Sequence, residues 1–176
     1  DAPSTSVGSS LDGTQYSLMA GLAANWGPDL AASASAGVGV NHFDDASLAD
    51  IRAALYAANI AYKPTEALTL TGALTSLIGA PGPDGSGTAQ VTYQATAGAT
   101  YVVNDWLDWR ASANWHNTSY AATTATDDGY GFGVGADYIL SRQTKLSADY
   151  SFARATVTPN PAENTQTISL GLTFQK

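Results

Sequence analysis

The chain contains no cysteine, which removes disulfide bridging and thiolate chemistry from consideration. Charge is scarce as well. Only 12% of its 176 residues are Asp, Glu, Lys or Arg, about half of the ~25% usual in soluble domains. Long apolar runs are missing: no stretch reaches the roughly 18 residues that mark a transmembrane helix. Basic residues are outnumbered, with a net charge of -8. A nucleic-acid partner is therefore not expected, because phosphate binding needs a basic surface. Two histidines without a cysteine leave a zinc site short of ligands. Neither a metal nor a cofactor is expected. No signal peptide stands at Asp1, so an exported form would have had its signal removed.

What the chain has is alternation. From Gln90 to His116 it reads as two strands joined at Asn104-Asp105. Val91, Tyr93, Ala95, Ala97, Ala99, Tyr101 and Val103 fall on one face, with Gln, Thr and Gly between them. Leu107, Trp109, Ala111, Ala113 and Trp115 then alternate with Asp108, Arg110, Ser112, Asn114 and His116. Period-two alternation of this length means long strands with one apolar and one polar face. Such strands exceed the ~9–11 tilted residues needed to cross a hydrocarbon layer.

The same pattern recurs along the chain. Strands are expected after Asp12-Gly13, from Leu30 to Phe43, from Leu68, from Tyr130, around Leu146–Phe152 and at Ile168–Phe174. Ser47 to Tyr62 is harder. Ile51, Ala53 and Leu55 alternate in one phase and Ile60 and Tyr62 in the other. A bulge near Ala57–Asn59 would reconcile them; the alternative is an Ala-rich helix. Gly27–Asp29, Lys63–Glu66, Asn104-Asp105 and Ser141–Gln143 are short connections. Asp44–Ala46, Gly79–Gly87, Asn117–Gly129 and Val157–Asn164 are on average longer. Short turns on one rim and longer loops on the other mark an up-and-down membrane barrel.

The polar face decides what the apolar face meets. In water it would carry Lys, Glu and Arg. Here it is mostly Ser, Thr, Gly, Ala and Gln, which suits a confined interior. Aromatics form two bands. Trp26, Tyr62, Tyr101, Trp106, Trp109 and Tyr138 lie beside the short turns. Tyr16, Phe43, Tyr93, Trp115, Tyr120, Tyr130, Phe132 and Phe152 lie toward the long loops. Aromatic girdles at two membrane interfaces have this form. Trp26, Tyr101, Trp109, Trp115, Tyr138 and Phe174 are the expected lipid-facing girdle. The expected fold is all-β: one antiparallel up-and-down transmembrane barrel domain over residues 1–176, of about ten strands. Nine are clear, and Ser4–Leu11 is the candidate tenth, pairing with Thr167–Phe174 to close the barrel. Otherwise the chain is the C-terminal part of a larger barrel.

With these residues in view, the chain resembles the outer-membrane β-barrel proteins of Gram-negative bacteria, and within them the putative β-barrel porin type. The strand entries "NDWLDWRASANW" from Asn104 and "SRQTKLSADYSF" from Ser141 carry the resemblance. So does the ending "SLGLTFQK", with Gly171 and Phe174 in place. The family usually ends on an aromatic, whereas this chain ends on Lys176. The resemblance implies a bacterial outer-membrane location, contact with outer-membrane lipid and lipopolysaccharide, and insertion by the barrel assembly machinery.

Enzymatic chemistry finds little support. Gly131, Gly133 and Gly135 lack the third glycine and following helix of a nucleotide fingerprint. Ser112 lies about 13 Å along the strand from His116, too far to serve as its nucleophile. Asp44-Asp45 and Asp127-Asp128 read as solvated loop charge rather than a Ca²⁺ site. The inward charges are more informative. Asp108, Arg110, Asn114, His116, Asp137 and Asp149 are expected to line a passage, with Asp50, Arg52 and Arg154 as further inward candidates. The expected function is a narrow, weakly cation-preferring passive pore. The alternative is a structural or interaction barrel with a blocked lumen, whose acidic loops contact a partner or lipopolysaccharide through divalent cations.

Overall fold

The computed structural model describes residues 13–44, 50–79, 89–121, 123–141, 143–158 and 160–174. Among these residues there are nine strands and no helix: β1 (Gly13–Trp26), β2 (Leu30–Phe43), β3 (Ile51–Thr65), β4 (Leu68–Gly79), β5 (Gln90–Asn104), β6 (Leu107–Tyr120), β7 (Thr126–Ser141), β8 (Thr144–Val157) and β9 (Glu163–Phe174). Each pairs antiparallel with the next, giving one sheet in sequence order, the wall of an up-and-down barrel. Among the described residues β1 and β9 are its two edges. With an odd number of alternating strands, these edges run in the same direction. The Ser4–Leu11 strand and its expected pairing with β9 lie outside the described residues.

The short connections are built by local side chains. Gly27 adopts φ 72°, a left-handed conformation open to glycine. At the next turn the Leu68 N–H donates to Thr65 Oγ1 at 3.1 Å. The Trp106 N–H donates to Asn104 Oδ1 at 3.0 Å, and the Gln143 N–H donates to Ser141 Oγ at 3.2 Å. Thr, Asn and Ser at these positions reverse the chain by occupying backbone donors that the ladder leaves over. The register shifts also sit at this rim, at Tyr62/Thr65, Val102/Asn104 and Ile139/Ser141.

The sheet curls. One concavity of about 340 Å³ is lined from five successive strands, by Thr71 of β4, Thr100 of β5, Arg110 of β6, Gly135 of β7 and Asp149 of β8 among others. That face is the interior. The convex face carries the apolar set, with Leu22 86% and Leu170 78% exposed, as suits residues whose solvent is lipid. Aromatic pairs brace it. Phe132 and Phe152 stack at 5.3 Å between ring centres, and Trp106 meets Tyr138 edge-on at 5.6 Å.

Several sequence expectations need correction. Ser47–Tyr62 contains a strand and no bulge at Ala57–Asn59, because the β2–β3 register runs unbroken from Asn41↔Ile51 to Leu30↔Tyr62. The phase of Ile60 and Tyr62 holds throughout. Ile51, Ala53 and Leu55 therefore face inward, and Arg52, opposite Val40, faces outward. Arg154, opposite Tyr130, also faces outward. Asp50 follows them, since it pairs with the outward His42. Phe43 shares the face of Gly39 and Asn41 and is 3% exposed, so it belongs to the interior and not to the lipid girdle. Tyr120, paired with Gln90, is likewise on the concave side. The loop expected at Asn117–Gly129 shrinks to 121–125, because both strands continue past it. Asp127 and Asp128 are strand residues. The Gly79–Gly87 loop, beyond Gly79 itself, lies outside the described residues.

Candidate pore-lining surface

Strand β6 supplies a polar ladder across the full height of the wall. Asp108, Arg110, Ser112, Asn114, His116 and Thr118 occupy alternate positions, so all six point to the concave side. Asp137 is opposite Asp108, and Asp149 is opposite Gly135 beside Arg110. The six residues Asp108, Arg110, Asn114, His116, Asp137 and Asp149 therefore share one face. Trp26, Tyr101, Trp109, Trp115, Tyr138 and Phe174 share the other, and each is exposed there.

Two belts of charge stand on the concave face. The first lies near the short turns. Arg110 Nη2 donates to Asp137 Oδ1 at 3.0 Å and to Asp149 Oδ1 at 2.9 Å. Lys145 Nζ donates to Asp137 Oδ2 at 3.3 Å. One guanidinium thus ties β6 to β7 and β8. The Asp108–Asp137 juxtaposition of like charges would be unfavourable alone; Arg110 and Lys145 offset it. The second belt lies toward the long loops, where His116 Nε2 and Asp127 Oδ1 stand 3.4 Å apart. Six residues on one strand separate the belts, about 20 Å at the strand rise. Between them the wall is neutral and polar: Ser112, Asn114, Thr96, Ser151 and Thr167.

The glycines of β7 have a specific use here. A Cβ on Gly129 would strike the His116 ring, and one on Gly135 would strike the Asp149 carboxylate. At Gly133 it would come 2.9 Å from Ser112 Oγ. The long polar side chains of β6 and β8 lie across the β7 backbone, in a trough that only glycine leaves open. In sequence Gly131, Gly133 and Gly135 read as small inward residues and Gly129 as the end of a loop. Their alternation facing Asn114, His116 and Asp149 was the available signal. Lys145 was also missed; its position two residues before Ser147 on an inward phase pointed to it. At the top of the trough Thr92 and Thr118 are buried, with their hydroxyls 3.1 Å apart.

Over residues 1–176 the chain matches the family described as Putative beta-barrel porin 2. It belongs to that family. The protein is accordingly a β-barrel of the bacterial outer membrane, set in outer-membrane lipid and lipopolysaccharide. Among solved structures it is similar to OmpT, an outer membrane protein of Vibrio cholerae. Against the in-vitro folded trimer form the identity is 15% and the TM-score 0.57, covering 91% of this chain and 56% of that one. Against outer-membrane expressed OmpT the figures are 16%, 0.55, 91% and 56%. Against the loop L8 deletion mutant they are 17%, 0.53, 91% and 53%. At this identity the likeness is one of fold, and this porin-family chain spans about half the length of those chains. No curated protein matches it.

Proposed function

We propose that this chain forms a wall of a narrow, passive, weakly cation-preferring pore, lined by Asp108, Arg110, Asn114, His116, Asp137 and Asp149. One observation carries the reading. Within the paired registers the concave face holds the carboxylates Asp108, Asp127, Asp137, Asp149 and Glu163 against the cations Arg110 and Lys145. Both cations are already engaged by Asp137 or Asp149. An ion passing the short-turn belt therefore meets a field of net negative sign, which attracts cations. The polar residues between the belts are short, so they leave room for water. Insertion would use β9, with Gly171 and the outward Phe174, as the segment read by the barrel assembly machinery.

The test is a planar bilayer containing the purified protein under a salt gradient. A measurable conductance with a reversal potential on the cation side is expected. Absent conductance, or anion preference, would overturn the reading in favour of an interaction barrel with a blocked lumen.

A further inference from the structure

Within the described registers, charge on the convex face is confined to one rim. Within the paired strands the outward positions carry Arg52, Asp128 and Arg154, with the His42–Asp50 pair immediately above Arg52. The rest of the outward surface is uncharged in every described register. The rim concerned is that of the longer loops, which in outer-membrane barrels is extracellular.

Register fixes the height of the two arginines. Arg52 stands in one transverse row with Val40 and Tyr16. Arg154 stands in one row with Tyr130 and Trp115. Tyr and Trp on a lipid-facing surface mark the headgroup level. Both guanidinium groups are therefore at that level, on exposed residues. Each has a carboxylate nearby on its own face, and each carboxylate is engaged elsewhere. Asp50 is held by His42 at 2.7 Å, and Asp128 accepts from the Asn117 amide. Among the described residues neither arginine has an ion-pair partner. A guanidinium in the headgroup layer pairs best with phosphate, which it meets with two parallel donors.

We propose that Arg52 and Arg154 each bind a phosphate of outer-leaflet lipopolysaccharide from the lipid side of the barrel. The two sites are five strands apart, so they hold separate lipid molecules. This rests on the outward face meeting lipid and is independent of the pore reading. It also differs from bridging through acidic loops, since no divalent cation takes part.

The experiment uses the full chain folded in detergent micelles, with lipid A as the probe and native mass spectrometry as the readout. Two bound lipid A molecules are expected. Dephosphorylated lipid A should bind far less. Arg52→Gln and Arg154→Gln should each remove one lipid, with affinity at that site falling about tenfold, the scale of one charge-assisted pair. Arg→Lys at the same positions should retain part of the binding, because the charge persists. Heat modifiability on a gel confirms folding of each variant, and the lipid comparison on the unaltered chain stands even where a variant fails to fold. The proposal is overturned if dephosphorylated lipid A binds equally or if the double Gln variant keeps both lipids. Release by EDTA would show metal bridging, and displacement by millimolar inorganic phosphate would show a general anion site; either also overturns it.

Discussion

The concave surface divides into two unlike halves. Across β6–β9 it carries seven charged side chains, from Asp108 to Glu163, cross-linked by Arg110 and Lys145. Across β1–β5 the paired registers carry none; Ser33, Ser35, Asn59, Thr71 and Thr96 alternate with Gly and Ala, and toward the long loops with Phe43 and Leu55. The halves differ in what holds them. In the neutral half Gly21 and Gly37 come against main chain, whereas Gly39 faces the apolar side chains of Ile78 and Leu55 and Gly98 faces the Thr71 hydroxyl. The charged half relies on side chains spanning strands, so its glycines face carboxylate, amide and imidazole. In the proposed pore, ion discrimination would therefore be concentrated on one side of the interior, and the other side would supply width.

Substitutions can break this contrast. The largest effect is expected for Gly37→Val in β2, where a Cβ would meet the Leu18 carbonyl oxygen and stand 2.7 Å from Met19 Cα. Backbone cannot rotate away, and overpacking costs about 1–3 kcal/mol or more. The heat-modifiable folded band should be lost or much reduced on a gel. Gly135→Val in β7 should keep more of that band, because its nearest obstacle, the Asp149 carboxylate, can swing aside and the nearest backbone atom, the Ala148 carbonyl oxygen, stands 3.2 Å away. Equal loss in both variants would dissolve the distinction.

Arg110→Ala comes next. It leaves Asp137 and Asp149 without their shared donor, at a cost of about 1–3 kcal/mol for hydrogen bonds to charged groups, toward the lower end because Arg110 is partly exposed. Denaturant titration of the refolded protein reads this. In a bilayer the reversal potential should move further to the cation side, since a repelling charge is gone. A shift toward anions would contradict the assigned field.

Smaller still is Thr92→Val. It removes one hydroxyl and leaves Thr118 buried with a lost partner, for about 1 kcal/mol. Conductance should not change, because the substitution alters no charge on the concave face. The least disruptive change is Asn59→Asp, which places a carboxylate on the neutral half. Stability should stay within about 0.5 kcal/mol, while cation preference rises modestly. Should it leave the reversal potential untouched, the β1–β5 surface does not face the ion path.

Much of this was legible in the chain. Alternation separated the faces of β1, β2 and β4–β9, because their neighbours repeat the same phase, and turn chemistry marked the short rim. β3 was misread for a physical reason. Ile51, Ala53 and Leu55 compete with Ile60 and Tyr62 for the lipid face, and only the pairing with β2 chooses between them. Arg52 and Arg154 sit where local polarity cannot tell interior from headgroup layer. Polar strand ends at Thr118 and Asp127 looked like loop because their ladder partners are each other. The partners of Arg110 were beyond reach too, lying 27 and 39 residues away. Alternation says which face a side chain takes, but not which neighbours it meets there.

The odd number of strands in the described wall has a consequence for how the molecule is addressed. β1 leaves the long-loop rim at Gly13, and β9 arrives at the short-turn rim at Phe174. The two ends of the described wall therefore open into different compartments, the outside medium and the periplasm. An epitope joined near Gly13 would be stained on intact cells, while one joined beyond Phe174 would stay hidden until the envelope is permeabilised. A single chain thus carries its own pair of sidedness markers.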